Sequence, residues 1–282
     1  MSQKGLIFDS KEFSVFDGPG LRQTVFFKGC PLRCNWCHNP EGLLNKPELM
    51  VTTASCIHCG KCSLACTHDK CIACGDCVEV CPLRLRKIAG TYMTAKELAD
   101  SIHENSEYYA RYGGGVTFSG GEPLMQVEFL IEVLDLLPDV HKAIETSGFV
   151  GSATFRKVIS RLDYVMMDIK IFDDALHQKY TGVSNRQILE NAKILCEGNT
   201  PFVIRIPLIP GVNDNELNFR QTAKLIAGAK ALQKIELLPY HKTAGAKYSS
   251  VGRAYEPIFD IDRTINISRK VFDEYNVRSS VL

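Results

Sequence analysis

The chain has almost no charge imbalance. Its 33 basic residues face 32 acidic ones, a formal net charge of +1. No basic surplus exists to neutralise phosphates, which argues against nucleic acid as a partner. A long apolar run is also missing, since nothing approaches the roughly 20 residues that a membrane span needs. Met1 to Asp9 lacks the apolar stretch of a secretory signal. These absences predict a cytoplasmic protein with no membrane partner. Low-complexity tracts are lacking as well. Cysteine is nearly absent from most of the chain: of twelve, only Cys196 lies outside the stretch from Cys30 to Cys81.

What is present suits a globular enzyme. The 282 residues are 45% hydrophobic and 23% charged, enough for one large domain carrying a small insert. Short apolar runs at Gln23–Phe27, Gly115–Phe118, His141–Glu145, Tyr164–Ile169, Phe202–Pro207 and Ile235–Pro239 read as strands. Helix-period segments fall at Ala95–Tyr109, Val127–Leu137, Phe155–Leu162, Gln187–Cys196, Leu217–Ala229 and Ile265–Tyr275. Cys196 lies on the apolar face of its helix and reads as core. Alternating strand and helix predicts an α/β fold with a parallel sheet. Periodicity leaves two forms open, a partial barrel and an open doubly wound sheet.

The eleven clustered cysteines stand at two- and three-residue gaps. In a reducing compartment such spacing reads as metal ligation, not disulfides. Cys30, Cys34 and Cys37 form C-x3-C-x2-C. Three thiolates from one loop can take three corners of a cubane cluster, which leaves one iron open for chemistry. Structural zinc with a distant fourth ligand fits the same spacing. Farther on, Cys56, Cys59, Cys62 and Cys66 are followed by Cys71, Cys74, Cys77 and Cys81. The run C-x2-C-x2-C-x3-C, given twice, is the pattern of a two-cluster ferredoxin, in which each fourth cysteine serves the other cluster. That predicts one cluster on Cys56, Cys59, Cys62 and Cys81, and another on Cys71, Cys74, Cys77 and Cys66. Only four residues separate Cys66 from Cys71, a short loop for this pattern. The segment 55–82 therefore reads as a ferredoxin-like insert, with residues 1–54 and 83–282 forming the main domain.

Other motifs sit at strand ends, where α/β folds bind ligands. Gly120, Gly121 and Glu122 close a glycine-rich strand end. Asp168 and Lys170 follow an apolar run. Arg205 lies inside an apolar strand, a costly place unless an anion meets it. His241 ends Leu237-Leu238-Pro239-Tyr240-His241. Asp17-Gly18-Pro19-Gly20 reads locally as a turn.

The cysteine loop after an apolar strand resembles the signature of radical S-adenosylmethionine (SAM) enzymes. More narrowly, Asp17-Gly18-Pro19-Gly20-Leu21-Arg22, followed by Phe26-Phe27-Lys28-Gly29-Cys30, is similar to the activating enzymes of glycyl-radical enzymes. The resemblance covers nearly the whole chain. It implies a partial (β/α)6 TIM-like barrel. It also implies a [4Fe-4S] cluster on Cys30, Cys34 and Cys37 that chelates and reductively cleaves SAM. The resulting 5′-deoxyadenosyl radical then takes hydrogen from a glycine of a partner enzyme. By the same resemblance Trp36, Cys37, His38, Gly120, Gly121, Glu122, Thr146, Asp168, Lys170, Phe172, Arg205 and His241 surround SAM. Glu145, Thr146, Met166 and Asp168 match a monovalent-cation site, with Glu145 where the pyruvate formate-lyase type has Asp. Asp17 to Gly20 would help hold the partner's glycine loop. Flavodoxin or ferredoxin would supply electrons to a chain acting as a monomer with three clusters. Activases carrying such an insert serve dehydratases, decarboxylases and lyases of small molecules. Two rivals remain at this point: a radical SAM enzyme acting on a small molecule or peptide, and an electron carrier built around the insert.

Overall fold

The computed structural model describes residues 3–282. Strand β1 (Lys4–Ser14) turns back antiparallel onto β2 (Arg22–Phe27). After the first cysteine loop, β3 (Glu48–Val51) pairs only with β4 (Arg86–Ala89) as a separate two-stranded sheet. Between those strands lie the eight clustered cysteines and two short helices, α1 (Lys61–Ala65) and α2 (Asp76–Glu79). Strand β5 (Thr91–Thr94) returns to pair with β1. Then come α3 (Ala95–His103), α4 (Ser106–Arg111), β6 (Gly115–Gly120), α5 (Val127–Asp135), β7 (Lys142–Thr146), α6 (Ser152–Ile159) and β8 (Tyr164–Asp168). The chain closes with α7 (Asp174–Thr181), α8 (Arg186–Glu197), β9 (Phe202–Leu208), α9 (Glu216–Ile226), β10 (Leu232–Pro239), α10 (Lys270–Glu274) and β11 (Ser279–Val281).

Strands β2, β6, β7, β8, β9 and β10 lie side by side and parallel. These are the six strands legible in the sequence, and they form the partial barrel. Strand β11 extends it in parallel beyond β10, and β1 and β5 extend it antiparallel beyond β2. The strand order is linear, so β5 and β11 are two edges and the barrel stays open between them.

Period-two alternation decides what each face does. Outward residues such as Val25, Phe27, Phe118, Val165, Ile204 and Leu237 are fully buried beneath the helices and join one large core. Inward residues are largely polar: Thr24, Thr117, Ser119, Glu145, Asp168, Arg205 and Glu236. Ala143, Met166 and Val203, with Tyr164 against them, make a small apolar patch inside. An inner wall of this kind is built for a polar ligand.

Two helices differ from the sequence reading. Ala95–Tyr109 is two helices, because Asn105 leaves helical geometry at φ −119°, ψ 7° and α4 starts afresh. Its Tyr109 is buried against Phe13. Ile265–Tyr275 narrows to α10, since nearby side chains take the amides that a longer helix would use. Asp214 Oδ2 accepts from the Asn266 N–H at 2.9 Å, and Asn266 Oδ1 accepts from the Ser268 N–H at 3.1 Å. No helix of the described residues is long and apolar enough to cross a membrane.

Candidate active site

The loop after β2 carries Cys30, Cys34 and Cys37 to the carboxyl ends of the barrel strands. It is clamped on two sides. Gly29 and Cys30 donate their N–H groups to Gly42 and Leu43 at 2.8 and 3.2 Å. Arg33 and Asn35 donate to Thr181 and Tyr180, at the end of α7, at 2.7 and 3.0 Å. Trp36 is 5% exposed and packs between Tyr180 and Phe259. All three thiols line one cavity of about 440 Å³, together with Trp36, His38 and Asn39.

Burial pushes the Cys30 and Cys34 thiols up to about 12 and raises Cys37 as well. Without metal they are neutral thiols at neutral pH. Ligation requires thiolates, so loading iron must release protons and should tighten as pH rises through the neutral range. A loading titration that follows proton release checks this; loading without release would contradict it.

The opposite wall is made by strand ends. Gly120, Gly121 and Glu122 follow β6, and their backbone is bound to the cysteine loop. The Gly121 N–H donates to Phe27 at 2.7 Å and the Glu122 N–H donates to Gly29 at 2.8 Å. A Cβ on Gly121 would lie 2.4 Å from the Gly29 oxygen and 2.5 Å from the Gly42 oxygen. Gly121→Ala should therefore displace the cysteine loop and lower its iron content, which iron analysis of the reconstituted protein measures. The Glu122 carboxylate is almost fully buried and accepts from Thr146 Oγ1, Ser147 Oγ, and the Ser147 and Leu124 amides at 2.5–3.1 Å. Burial still holds its carboxyl above the usual range. It braces the wall more than it reaches for a ligand.

Asp168 and Lys170 form an ion pair at 2.5 Å beside the cysteine loop. Burial opposes the Lys170 charge, but Asp168, Cys34 and Cys30 more than offset it and keep the ammonium above its ordinary value. Arg205 is the centre of a second network. It pairs with Glu145, with Glu236 at 2.7 Å, and donates to the Phe16 carbonyl at 2.7 Å. The anions that meet this buried cation thus come from other barrel strands, β7 and β10. Ser119 Oγ donates to Glu145 at 2.5 Å. The carboxylates of the cation motif, Glu145 and Asp168, are therefore engaged with Arg205 and Lys170, while Met166 lies in the apolar patch.

Gly120, Gly121, Glu122, Thr146, Asp168, Lys170 and Arg205 all line the cavity with the three cysteines. Two residues do not. Phe172, in the turn between β8 and α7, packs against the outer core. His241 is exposed and caps the short helix after it, with Nδ1 2.8 Å from Thr243 Oγ1. The sequence reading missed Ser119, Ser147, Tyr240 and Glu236. Glu236 had a signal, being a lone carboxylate in an apolar strand that is in register with Arg205.

In the insert, Cys56, Cys59, Cys62 and Cys81 line one cavity of about 360 Å³. Cys66, Cys71, Cys74 and Cys77 line another of about 230 Å³, which Cys62 also touches. Each run's fourth cysteine therefore stands with the other run. The repeats Cys56-Ile57-His58-Cys59-Gly60 and Cys71-Ile72-Ala73-Cys74-Gly75 share a backbone form. His58, Gly60, Ala73 and Gly75 all have positive φ. Such left-handed steps curl amide groups into anion-binding nests of the kind found at iron–sulfur centres. The donor set, the cavities and the backbone therefore fit clusters. The insert's root is tied to the cysteine loop by buried Lys28, which pairs with Glu48 at 2.7 Å, and by Arg253 on the same carboxylate.

The profile of the radical SAM superfamily matches residues 24–223. The isethionate sulfite-lyase activating enzyme of Desulfovibrio desulfuricans is 38% identical over 276 residues, 89% of this chain and 88% of that one. The choline trimethylamine-lyase activating enzyme of Oleidesulfovibrio alaskensis is 37% identical over 277 residues, 90% and 89% of the two chains. Among solved structures, a radical SAM methyltransferase from Sphaerobacter thermophilus has a similar fold. Its TM-score is 0.57 at 15% identity, with 99% of this chain and 73% of that chain covered.

Proposed function

The chain belongs to the radical SAM superfamily and, within it, to the activating enzymes of glycyl-radical enzymes, and from that membership we propose how its own residues serve the reaction. One observation carries the proposal: three thiols, and no fourth among the described residues, face a cavity whose other wall is charged and glycine-rich. Cys30, Cys34 and Cys37 would hold a [4Fe-4S] cluster there. Bound there, the cluster and SAM supply a one-electron cleavage of the sulfonium to methionine and a 5′-deoxyadenosyl radical.

The protein's part is binding, orientation and exclusion of water. Gly120 and Gly121 leave the backbone bare at the cavity wall, and Glu122 fixes that wall from behind. Lys170 and Asp168 offer one charge of each sign to the carboxylate and ammonium of SAM's methionine moiety. Trp36 fixes the cysteine loop and His38 stands at its rim. Asp17 to Gly20 is pinned to the barrel, with Thr24 Oγ1 donating to Asp17 at 2.7 Å and Arg22 to the Pro19 carbonyl at 2.9 Å. That turn presents a firm edge to the partner's glycine loop.

The segment 55–82 acts as a ferredoxin-like unit with two further clusters. Its clusters would supply electrons, received from flavodoxin or ferredoxin, for the cleavage of SAM, and the chain works as a monomer. The partner is a glycyl-radical enzyme. The partners in the relatives' names, an isethionate sulfite-lyase and a choline trimethylamine-lyase, stand at nearly equal identity and do not select a substrate. Reduced, fully loaded protein given SAM should yield 5′-deoxyadenosine. No cleavage above background, with iron content intact, would contradict this function.

A further inference from the structure

Two cysteine quartets packed into one small insert raise an electrostatic problem. A cluster held by four thiolates carries net negative charge and gains one more on reduction. Two such sites side by side oppose each other's reduction unless a cation stands between them.

Arg86 is that cation. It opens β4, whose register opposite Val51 sets it under the insert. The side chain is half-buried and lines both quartet cavities. Lys61 reaches only the first cavity and His68 only the second, and both are exposed. Among the described residues no other cation lines both. Arg86 has no carboxylate partner either, since no ion pair of the described residues includes it. A half-buried cation needs an anion, and the third cysteines of the two runs share its cavities: Cys62 lines both with it, and Cys77 lines the second. A guanidinium has donors to spare for two sulfur acceptors, which an ammonium's single point charge does not match.

We propose that Arg86 is a shared cation that raises the reduction potentials of both insert clusters together. The inference rests on the two-cluster reading of the insert. Hydrogen bonds to sulfur and local charge are established levers on cluster potential. A fixed positive charge between the sites stabilises the reduced form of each and screens one from the other. Both clusters can then accept an electron, in each case one electron per cluster from an external reductant such as dithionite.

The test is a redox titration of the fully loaded enzyme followed by electron paramagnetic resonance. The site cluster is recognised as the one whose spectrum changes on adding SAM. In Arg86→Gln both other midpoints should fall at least tenfold in reduction equilibrium, about 59 mV each for one electron. The site cluster's midpoint should stay put, and Arg86→Lys should retain part of the effect. Arg86→Gln with full iron content and either insert midpoint unmoved would overturn the proposal. If that variant loses iron, wild-type protein labelled with nitrogen-15 arginine decides. Hyperfine coupling to both reduced insert clusters supports a shared cation, and coupling to one or neither rejects it. Iron analysis keeps the underlying reading separate. About twelve irons per chain are expected for three clusters, and about four would reject the two-cluster insert itself.

Discussion

Cys34→Ala should bring SAM cleavage to background while the insert keeps its iron. Cys34 stands between the other two ligands and lines the cavity beside Lys170 and Asp168. With it gone, two thiols remain, and no other cysteine among the described residues lines that cavity. A cluster on two ligands cannot hold SAM in place. The loss should exceed the 10–100-fold typical of removing an outer-shell partner, reaching more than about a thousandfold. The quartets of the insert line separate cavities, so about eight of about twelve irons should stay. Iron analysis with a 5′-deoxyadenosine assay reads both halves. Retained cleavage would place the chemistry elsewhere, and loss of all iron would mean that the insert depends on the site loop.

The second large effect is on stability. Arg205 is 7% exposed and joins β7, β9 and β10 through Glu145 and Glu236, while also holding the Phe16 carbonyl. Arg205→Ala strips the shared cation from the buried Glu236 carboxylate and the half-buried Glu145 carboxylate. Breaking one partner of a buried pair costs about 3–5 kcal/mol. Glu236 keeps Lys234 at 2.8 Å, but Glu145 keeps only the Ser119 hydroxyl. The sign of the pH dependence follows from Glu145. Burial raises its carboxyl above the usual range even with Arg205 present. Without Arg205 the neutral acid is favoured further, so the folded variant binds protons that the unfolded chain releases. The deficit should therefore shrink as pH falls towards about 5 and grow towards about 8, as denaturant unfolding at the two values would register. A deficit independent of pH would mean that lost packing, not stranded charge, dominates.

Much of this architecture is legible in the order of residues alone. The six barrel strands stand out because their outward residues are apolar and their ends carry glycine or charge. The cysteine loops are legible because ligand spacing is a local property of the chain. What stays hidden in the sequence is mostly non-local. Strand β1 escapes notice because its burial fades from Leu6 towards Ser14, and its pairing with β2 and β5 is a tertiary fact. Arg205 is recognisable as a cation in need of an anion, but its partners lie 60 and 31 residues away. His241 shows the opposite limit. A motif names a residue, but here the side chain caps its own helix and faces away from the cavity. Phe172 differs for a simpler reason: it lies past the end of β8, in the turn before α7, where its ring packs on the outer core.

The most direct test joins SAM cleavage to the partner's glycine. The fully loaded, reduced chain is mixed with SAM and a glycyl-radical enzyme whose glycines carry deuterium at Cα. Deuterium should appear in the methyl group of 5′-deoxyadenosine, and a glycyl radical should appear in the partner by electron paramagnetic resonance. Unlabelled 5′-deoxyadenosine with no partner radical, across glycyl-radical lyases, dehydratases and decarboxylases, would contradict hydrogen abstraction from glycine.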